Sequence, residues 1–141
     1  MALLRELEES FEGRVKLIQT VHWEMEDSGA NADVFARQLR AIAEGRAAER
    51  VLVDSKVGAA LGGTGVTFDW EASRGVLAEA GVGLKLIVAG GLRPENVGEA
   101  IRRLKPWGVD VASGVELKPG QKNPQKVAEF IRKTREAAGN E

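Results

Sequence analysis

Two pairs of small residues in this chain could hold an anion. Gly90 and Gly91 follow an apolar run and precede a helical pattern, and Ser113 and Gly114 repeat that arrangement one unit later. Glycine lets backbone N–H groups approach an anion closely, and the amino end of a helix adds partial positive charge. Because both pairs end predicted neighbouring strands, they indicate a phosphate site such as β/α barrels form after their last two strands. The alternative is that these residues only form tight turns.

Two aspartates at predicted strand ends could act on a ligand held there. Asp54 directly follows the apolar run Val51–Val53, and a carboxyl group partly withdrawn from water is suited to general acid chemistry. A helix cap or a salt bridge is the ordinary alternative. Asp110 lies between two valines, and burial of an unpaired carboxylate is costly. We therefore expect it to face a polar interior or a ligand, or to pair with a basic side chain.

Three further segments contain polar or glycine-rich chemistry. The loop Gly62–Gly65 is not a nucleotide-binding P-loop, because no Gly-Lys-Ser/Thr follows it. It could close over a ligand as a lid, or it could be a connecting loop without a function. His22, the only histidine, ends the first predicted strand, and a lone histidine is more often structural than catalytic. The acidic residues Glu24, Glu26 and Asp27 favour a solvated loop over a metal site.

Composition excludes several classes of protein. The 141 residues include 20 basic and 21 acidic side chains. The chain therefore lacks the excess of basic residues that is typical of a nucleic-acid-binding surface. The absence of cysteine rules out disulfides, thiolate metal sites and a cysteine nucleophile in this chain. The amphipathic, acidic start is unlike a targeting peptide, and no apolar run reaches membrane-spanning length. We expect one cytoplasmic domain over residues 1–141, without nucleic-acid or membrane partners.

Helical and strand patterns alternate strictly along the chain. This alternation predicts an α/β fold with a four-stranded parallel sheet. The wholly apolar strand at 51–53 is expected to be buried on both faces. The predicted strands are 15–22, 51–53, 84–89 and 108–112. The predicted helices are 2–12, 33–44, one capped by Asp69 and running to about 80, one from Pro94 to Pro106, and one capped by Asn123 and opened by Pro124.

Taken together, three of these segments resemble phosphoribosylanthranilate isomerase of tryptophan biosynthesis. They are Leu61–Trp70, Ala89–Val97 and Val109–Glu116, with Pro119-Gly-Gln-Lys-Asn-Pro following the last. The resemblance runs from about residue 14 to the end and is weakest around Trp23 to Gly45. It implies a (β/α)₈ barrel that performs an Amadori rearrangement without metal or organic cofactor.

The resemblance also implies roles for single residues. Asp54 is similar to the general acid that protonates the ring oxygen, and Asp110 to the acid near the anthranilate. Val66 stands where the family often has lysine, and Ala112 where a serine often helps to hold phosphate; backbone donors can supply much of such a site. The implied phosphate ligands are Gly90, Gly91, Ser113 and Gly114, and the implied residues of the loop over the substrate are Gly62 and Gly63.

The resemblance covers only strands five to eight of such a barrel. The family's general base, a cysteine on strand one, and its anthranilate-binding arginine have no counterpart in this chain. A missing base predicts a rate roughly 10²–10⁴ lower for the chain alone. The alternative function is a non-catalytic half-barrel that binds phosphate or a phosphosugar.

A four-stranded half of a barrel has two open edges, here the strands starting at Val15 and Gly108. Two copies could close an eight-stranded barrel by dimerisation. A separate first-half chain could do the same, or the sheet could flatten into a flavodoxin-like arrangement. We favour self-association. The expected partners are thus a phosphoribosylated small molecule and a second copy or a first-half chain.

Overall fold

The computed structural model of the chain describes residues 2–12, 14–24, 28–46, 48–56 and 70–139. Helices and strands alternate along them, as the sequence predicts. The helices are α1 (Ala2–Ser10), α2 (Ser28–Gly45), α3 (Trp70–Ala80), α4 (Val97–Leu104) and α5 (Pro124–Ala137). The strands are β1 (Ile18–Glu24), β2 (Arg50–Lys56), β3 (Lys85–Ala89), β4 (Gly108–Val109), β5 (Glu116–Lys118) and β6 (Gln121–Lys122).

Strands β1 to β4 form one parallel sheet in the order β1-β2-β3-β4. The predicted four-stranded parallel sheet is therefore confirmed. Spatial order equals chain order, so right-handed crossovers place every connecting helix on the same face of the sheet. Consecutive helices from α2 to α5 contact one another accordingly. A flavodoxin-like sheet requires a reversal of strand order, which β1 to β4 do not have.

The hydrophobic core lies between this sheet and its helices. Val21, Val53 and Val88 occupy the same register level of β1, β2 and β3 and are all buried. Leu39 of α2 and Val97 of α4 are fully buried against that layer. Since side chains alternate between the faces of a strand, this row identifies the helix-facing side of the sheet.

The opposite face of the sheet is only partly covered by the described residues. Ile18 is 54% exposed, and Leu52 and Ile87 are half-buried and lie outside the core cluster. The prediction that the strand at 51–53 is buried on both faces is therefore wrong for Leu52. The physical reason is the sequential strand order, which places all connecting helices on one face of the sheet, so that none of the described helices covers Leu52 on the other face. We call the side bearing Ile18, Leu52 and Ile87 the open face.

The chain departs from the predicted boundaries after β3 and β4. Helix α4 begins at Val97, because residues 94–96 form a turn instead of the first helical turn expected at Pro94. Strand β4 ends at Val109 instead of residue 112, since the chain leaves the sheet and enters a 3₁₀ turn at Ser113–Val115. Both differences concern the segments that carry the predicted phosphate ligands.

The antiparallel hairpin of β5 and β6 was not predicted from the sequence. The predicted cap of the last helix is confirmed, because the Asn123 side chain accepts hydrogen bonds from the N–H groups of Gln125 and Lys126 at 2.9 and 3.2 Å. Among the described helices, none is long and apolar enough to cross a membrane.

Candidate active site

The carboxyl ends of β1, β2 and β3 bring three positions to one level of the sheet. His22 pairs in register with Asp54, and Asp54 pairs with Ala89. Their predecessors in the strands form the helix-facing valine row, so these three side chains project from the open face. In a closed β/α barrel, this face lines the interior and its carboxyl end carries the chemistry.

Asp54 is accessible from solvent and has an imidazole beside it. The His22 Nδ1 atom lies 3.9 Å from the Asp54 Oδ2 atom, and the two side chains are 41% and 36% exposed. That separation is too long for a hydrogen bond but short enough for electrostatic interaction. A carboxyl and an imidazole at this spacing can exchange protons with a ligand on the open face. The structure thus places His22, which the sequence favoured as structural, next to the predicted acid.

The predicted phosphate turn Gly90-Gly91 begins directly beyond Ala89, the register partner of Asp54. Both glycines have positive φ angles, +88° and +65°. This region of backbone space is costly for residues with a Cβ atom, which explains glycine at both positions. An added Cβ atom on Gly91 would meet nothing within 4 Å. The backbone of this turn is thus open to a ligand.

Asn96 holds the Gly90-Gly91 turn from behind. It is 8% exposed, and its side chain accepts a hydrogen bond from the Arg93 N–H at 2.9 Å and donates one to the Gly91 carbonyl at 3.0 Å. The sequence reasoning gave Asn96 no role. An asparagine just before a predicted helix was the available signal, since its side chain often bonds to nearby backbone groups.

The second predicted phosphate turn packs directly on the first. A Cβ atom added to Gly114 would lie 2.9 Å from the Leu92 carbonyl carbon and 3.1 Å from the Arg93 Cα atom, and closer still to the Leu92 oxygen. Only glycine permits this approach of two backbone segments. Gly114 therefore lies against Leu92 and Arg93, the two residues that directly follow Gly90-Gly91.

Backbone donors remain available in the first turn. Within the part of the chain that the structure describes, the N–H groups of Gly91 and Leu92 have no hydrogen-bond acceptor. The Arg93 N–H is already satisfied by Asn96. Two adjacent N–H groups without an acceptor suit a phosphate oxygen; Gly91 is exposed, whereas Leu92 as a whole is 3% exposed. Phosphate binding itself stays a prediction.

Lys122 supports the second turn from the β5–β6 hairpin. Its ammonium group donates hydrogen bonds to the Ala112 carbonyl at 2.7 Å and to the Glu116 carboxylate at 2.8 Å. The hydrogen bond from Lys122 holds the pKa of Glu116 below its ordinary value of 4.5. Lys122 thus links the hairpin to the residue that precedes Ser113.

Asp110 lies one residue beyond β4, and its backbone N–H donates to the Val88 carbonyl at 2.9 Å. It is exposed, and the expectation that it faces a polar interior or a ligand stays a prediction. Strand β4 ends at Val109, so Asp110 lies just outside the strand in which the sequence placed it. The predicted loop residues Gly62 and Gly63, together with Val66 and Asp69, lie outside the described residues, as do Glu26 and Asp27 of the acidic segment.

Comparison with known families agrees with this architecture. The family model described as N-(5′-phosphoribosyl)anthranilate isomerase matches residues 25–133. The chain is 48% identical over 86 residues to the enzyme of that name from Trichlorobacter lovleyi, covering 61% of this chain and 40% of the relative. It is 46% identical over 94 residues to that of Aquifex aeolicus, covering 67% and 45%.

Solved structures show the same similarity. The phosphoribosylanthranilate isomerase of Thermotoga maritima superposes with a TM-score of 0.66 at 31% identity, covering 94% of this chain and 57% of that one. A structure of monomers generated from the dimeric isomerase of the same organism gives 0.62 at 28% identity, with coverage of 93% and 55%. A family member in complex with reduced 1-(o-carboxyphenylamino)-1-deoxyribulose 5-phosphate gives 0.62 at 27% identity, with coverage of 94% and 55%.

The chain spans about half the length of the curated relatives that it matches, between 40% and 51%. The family model nevertheless covers most of the chain, and the described sheet is similar to part of the barrel of the solved relatives. This chain belongs to the N-(5′-phosphoribosyl)anthranilate isomerase family.

Proposed function

We propose that this chain supplies the phosphate site and the general acid of a phosphoribosylanthranilate isomerase. The observation that carries the proposal is the contact of the Gly114 backbone with Leu92 and Arg93, one strand away from Asp54. It joins the two predicted anion turns at the carboxyl end of the sheet, where the Asp54 carboxyl projects. A ligand with a phosphoryl group and a sugar ring can reach both at once.

In this proposal the backbone of the two turns binds the phosphate and orients the ribose. The N–H groups of Gly91 and Leu92, which have no acceptor within the described residues, are fixed donors, so binding requires little rearrangement. Once the phosphate is anchored, the sugar ring lies over the open face of the sheet. Asp54, whose side chain projects from that face, then stands within reach of the ring.

The reaction begins with two catalysed proton transfers. Protonation of the ring oxygen by the Asp54 carboxyl breaks the bond between that oxygen and C1′ and leaves an iminium between C1′ and the anthranilate nitrogen. A base then removes the proton from C2′, and the electron pair of that C–H bond neutralises the iminium to give an enol amine. The C2′ hydroxyl of the enol amine then loses its proton and C1′ gains one, which gives the ketone.

The identity of the base depends on which chain completes the barrel. The resemblance assigns this step to a cysteine of the first half, and the chain contains no cysteine. A first-half chain would supply that thiol. In an assembly of this chain alone, His22, whose Nδ1 atom lies 3.9 Å from Asp54 Oδ2, is the side chain placed to act as this base.

We further propose that two copies close the barrel. Within the described residues, strands β1 and β4 are the sheet edges, and each has one side without a partner strand. With a twofold axis along the centre of the barrel, in front of the open face, β4 of each copy meets β1 of the other. The two copies then complete eight strands. The exposed Ile18 and half-buried Leu52 and Ile87 would then become interior residues. The dimeric relative from Thermotoga maritima gives no more than a precedent for dimers in the family.

The experiment is to replace Asp54 by asparagine and to measure turnover of phosphoribosylanthranilate and affinity for ribose 5-phosphate. We expect turnover to fall roughly 10²–10⁴-fold while the affinity stays within about twofold, a free-energy change near 0.4 kcal/mol. Glu49→Gln is the matched control, because Glu49 precedes the same strand at its other end and pairs there with Lys85. That control should keep wild-type turnover.

The outcomes separate the two functions. Full turnover of Asp54→Asn contradicts the acid role. Ribose 5-phosphate binding by a wild-type chain that never turns over, at any protein concentration, supports the non-catalytic alternative. Failure to bind ribose 5-phosphate at all overturns both.

A further inference from the structure

We infer that Asn96 is a positioning residue that sets the donor geometry of the phosphate turn. The inference rests on the proposed function and adds to it a side chain that touches no substrate. Asn96 lies one residue before α4 and five residues after Gly91. Both polar ends of its amide are used, one on each side of the turn.

The donated hydrogen bond fixes one peptide plane. The Asn96 side-chain N–H holds the Gly91 carbonyl at 3.0 Å. Because a peptide unit is planar and trans, the N–H of Leu92 then points away from that carbonyl. Holding the Gly91 oxygen towards Asn96 therefore directs the Leu92 N–H to the opposite side of the turn, which the proposed function assigns to the ligand.

The accepted hydrogen bond fixes the other boundary of the turn. The Asn96 oxygen takes the Arg93 N–H at 2.9 Å, so the donor that follows Leu92 is satisfied within the protein. Asn96 thereby decides which N–H groups face the ligand and which do not. Burial of the side chain, 8% exposed, strengthens both bonds because water does not compete for them.

The positive φ of both glycines makes this support necessary. Gly90 and Gly91 have φ angles of +88° and +65°, and glycine visits many other conformations at no steric cost. A turn of two adjacent glycines has no intrinsic preference for the bound geometry. Asn96 restricts it before the ligand arrives, which reduces the entropy lost on binding.

The test compares Asn96→Ala with Asn123→Ala in the full chain, with ribose 5-phosphate as the probe. Asn123 is the matched control, because its side chain also makes two hydrogen bonds to backbone groups at the start of a helix, in its case by accepting two N–H groups. We expect Asn96→Ala to weaken ribose 5-phosphate binding about tenfold, the effect of one lost hydrogen bond of ordinary strength. We expect Asn123→Ala to keep the affinity within about twofold while losing a similar amount of stability against urea.

A second variant guards against a misfolded alanine protein. Asn96→Asp keeps an acceptor for the Arg93 N–H and loses the donor to the Gly91 carbonyl. We expect it to fold and to bind ribose 5-phosphate more weakly than the wild type. Simple charge repulsion would be screened at high ionic strength, whereas a lost peptide orientation would leave the affinity ratio to the wild type unchanged.

Three results are decisive. Equal affinity of the wild type and both Asn96 variants overturns the inference, even where their stability is reduced. An affinity ratio for Asn96→Asp that returns to one at high salt also overturns it. A wild type that does not bind ribose 5-phosphate contradicts the proposed function instead, so the two failures are distinguishable.

Discussion

Replacement of Gly114 by alanine tests whether the two predicted phosphate turns depend on each other. The new Cβ atom would lie 2.9 Å from the Leu92 carbonyl carbon and 3.1 Å from the Arg93 Cα atom. Side chains can rotate away from such contacts, but these neighbours are backbone atoms. The Arg93 backbone is itself held by Asn96 through its N–H group. One of the two turns must therefore move.

The expected magnitude follows from that geometry. Overpacking in well-packed regions costs about 1–3 kcal/mol. Because the neighbours here are rigid backbone atoms, we expect the free energy of unfolding to fall by about 3 kcal/mol. Separation of the turns also removes their shared ligand. We expect ribose 5-phosphate affinity to fall by about a factor of ten or more, equivalent to at least about 1.4 kcal/mol.

The assay is urea unfolding combined with calorimetric titration of ribose 5-phosphate. Gly75→Ala is the matched control, because Gly75 lies within α3 and a Cβ atom there would meet nothing within 4 Å. Alanine should stabilise that helix by about 0.5–1 kcal/mol without changing ligand affinity. Wild-type stability and affinity in Gly114→Ala would refute the contact between the turns and the site built on it.

Two further predictions concern the open face and the hairpin. Ile18→Lys should convert a dimer into a monomer, as measured by analytical ultracentrifugation, because a charge would enter the closed barrel. The control Leu117→Lys should leave the dimer intact, because Leu117 lies in the hairpin and is 66% exposed. An unchanged dimer in Ile18→Lys contradicts barrel closure through this face. The pKa of Glu116 is lowered by Lys122, so the stability that this pair contributes is fully present above the ordinary value of 4.5 and is lost as the pH falls through the lowered value. In urea unfolding at neutral and acidic pH, the wild type should lose more stability on acidification than Lys122→Met does; equal losses contradict the coupling.

The strands of the sheet can be predicted from the sequence because a buried strand is a short run of mostly apolar residues. Two such runs are Val51–Val53, which lies within β2, and Leu84–Ala89, which coincides with β3 except for its first residue. The same signal cannot tell how many faces of a strand are covered. Leu52 is as apolar as its neighbours but projects from the open face, since its burial depends on strand order and not on residue type.

The ends of the elements depend on contacts that no local pattern contains. Helix α4 starts three residues later than Pro94 indicates, because Asn96 takes the Arg93 N–H into a turn. Strands β5 and β6 are two or three residues long and mostly polar, so neither alternation nor an apolar run indicates them.

The candidate site is predictable in its residue types and not in its support. Glycines after strands indicate anion turns, and an aspartate after a strand indicates an acid. The contact of Gly114 with Leu92 joins residues from two different turns, and the link from Lys122 to Ala112 spans a hairpin. Both arise from tertiary packing.

The most direct test of the central claim is an NMR titration of the full chain with ribose 5-phosphate, followed through backbone amide resonances. If both turns hold one phosphoryl group beside Asp54, the amides of Gly91, Leu92, Ser113 and Gly114 shift together and give one dissociation constant. Ribose without phosphate leaves them unchanged. Separate constants for the two turns, or shifts confined to residues away from them, would contradict the account.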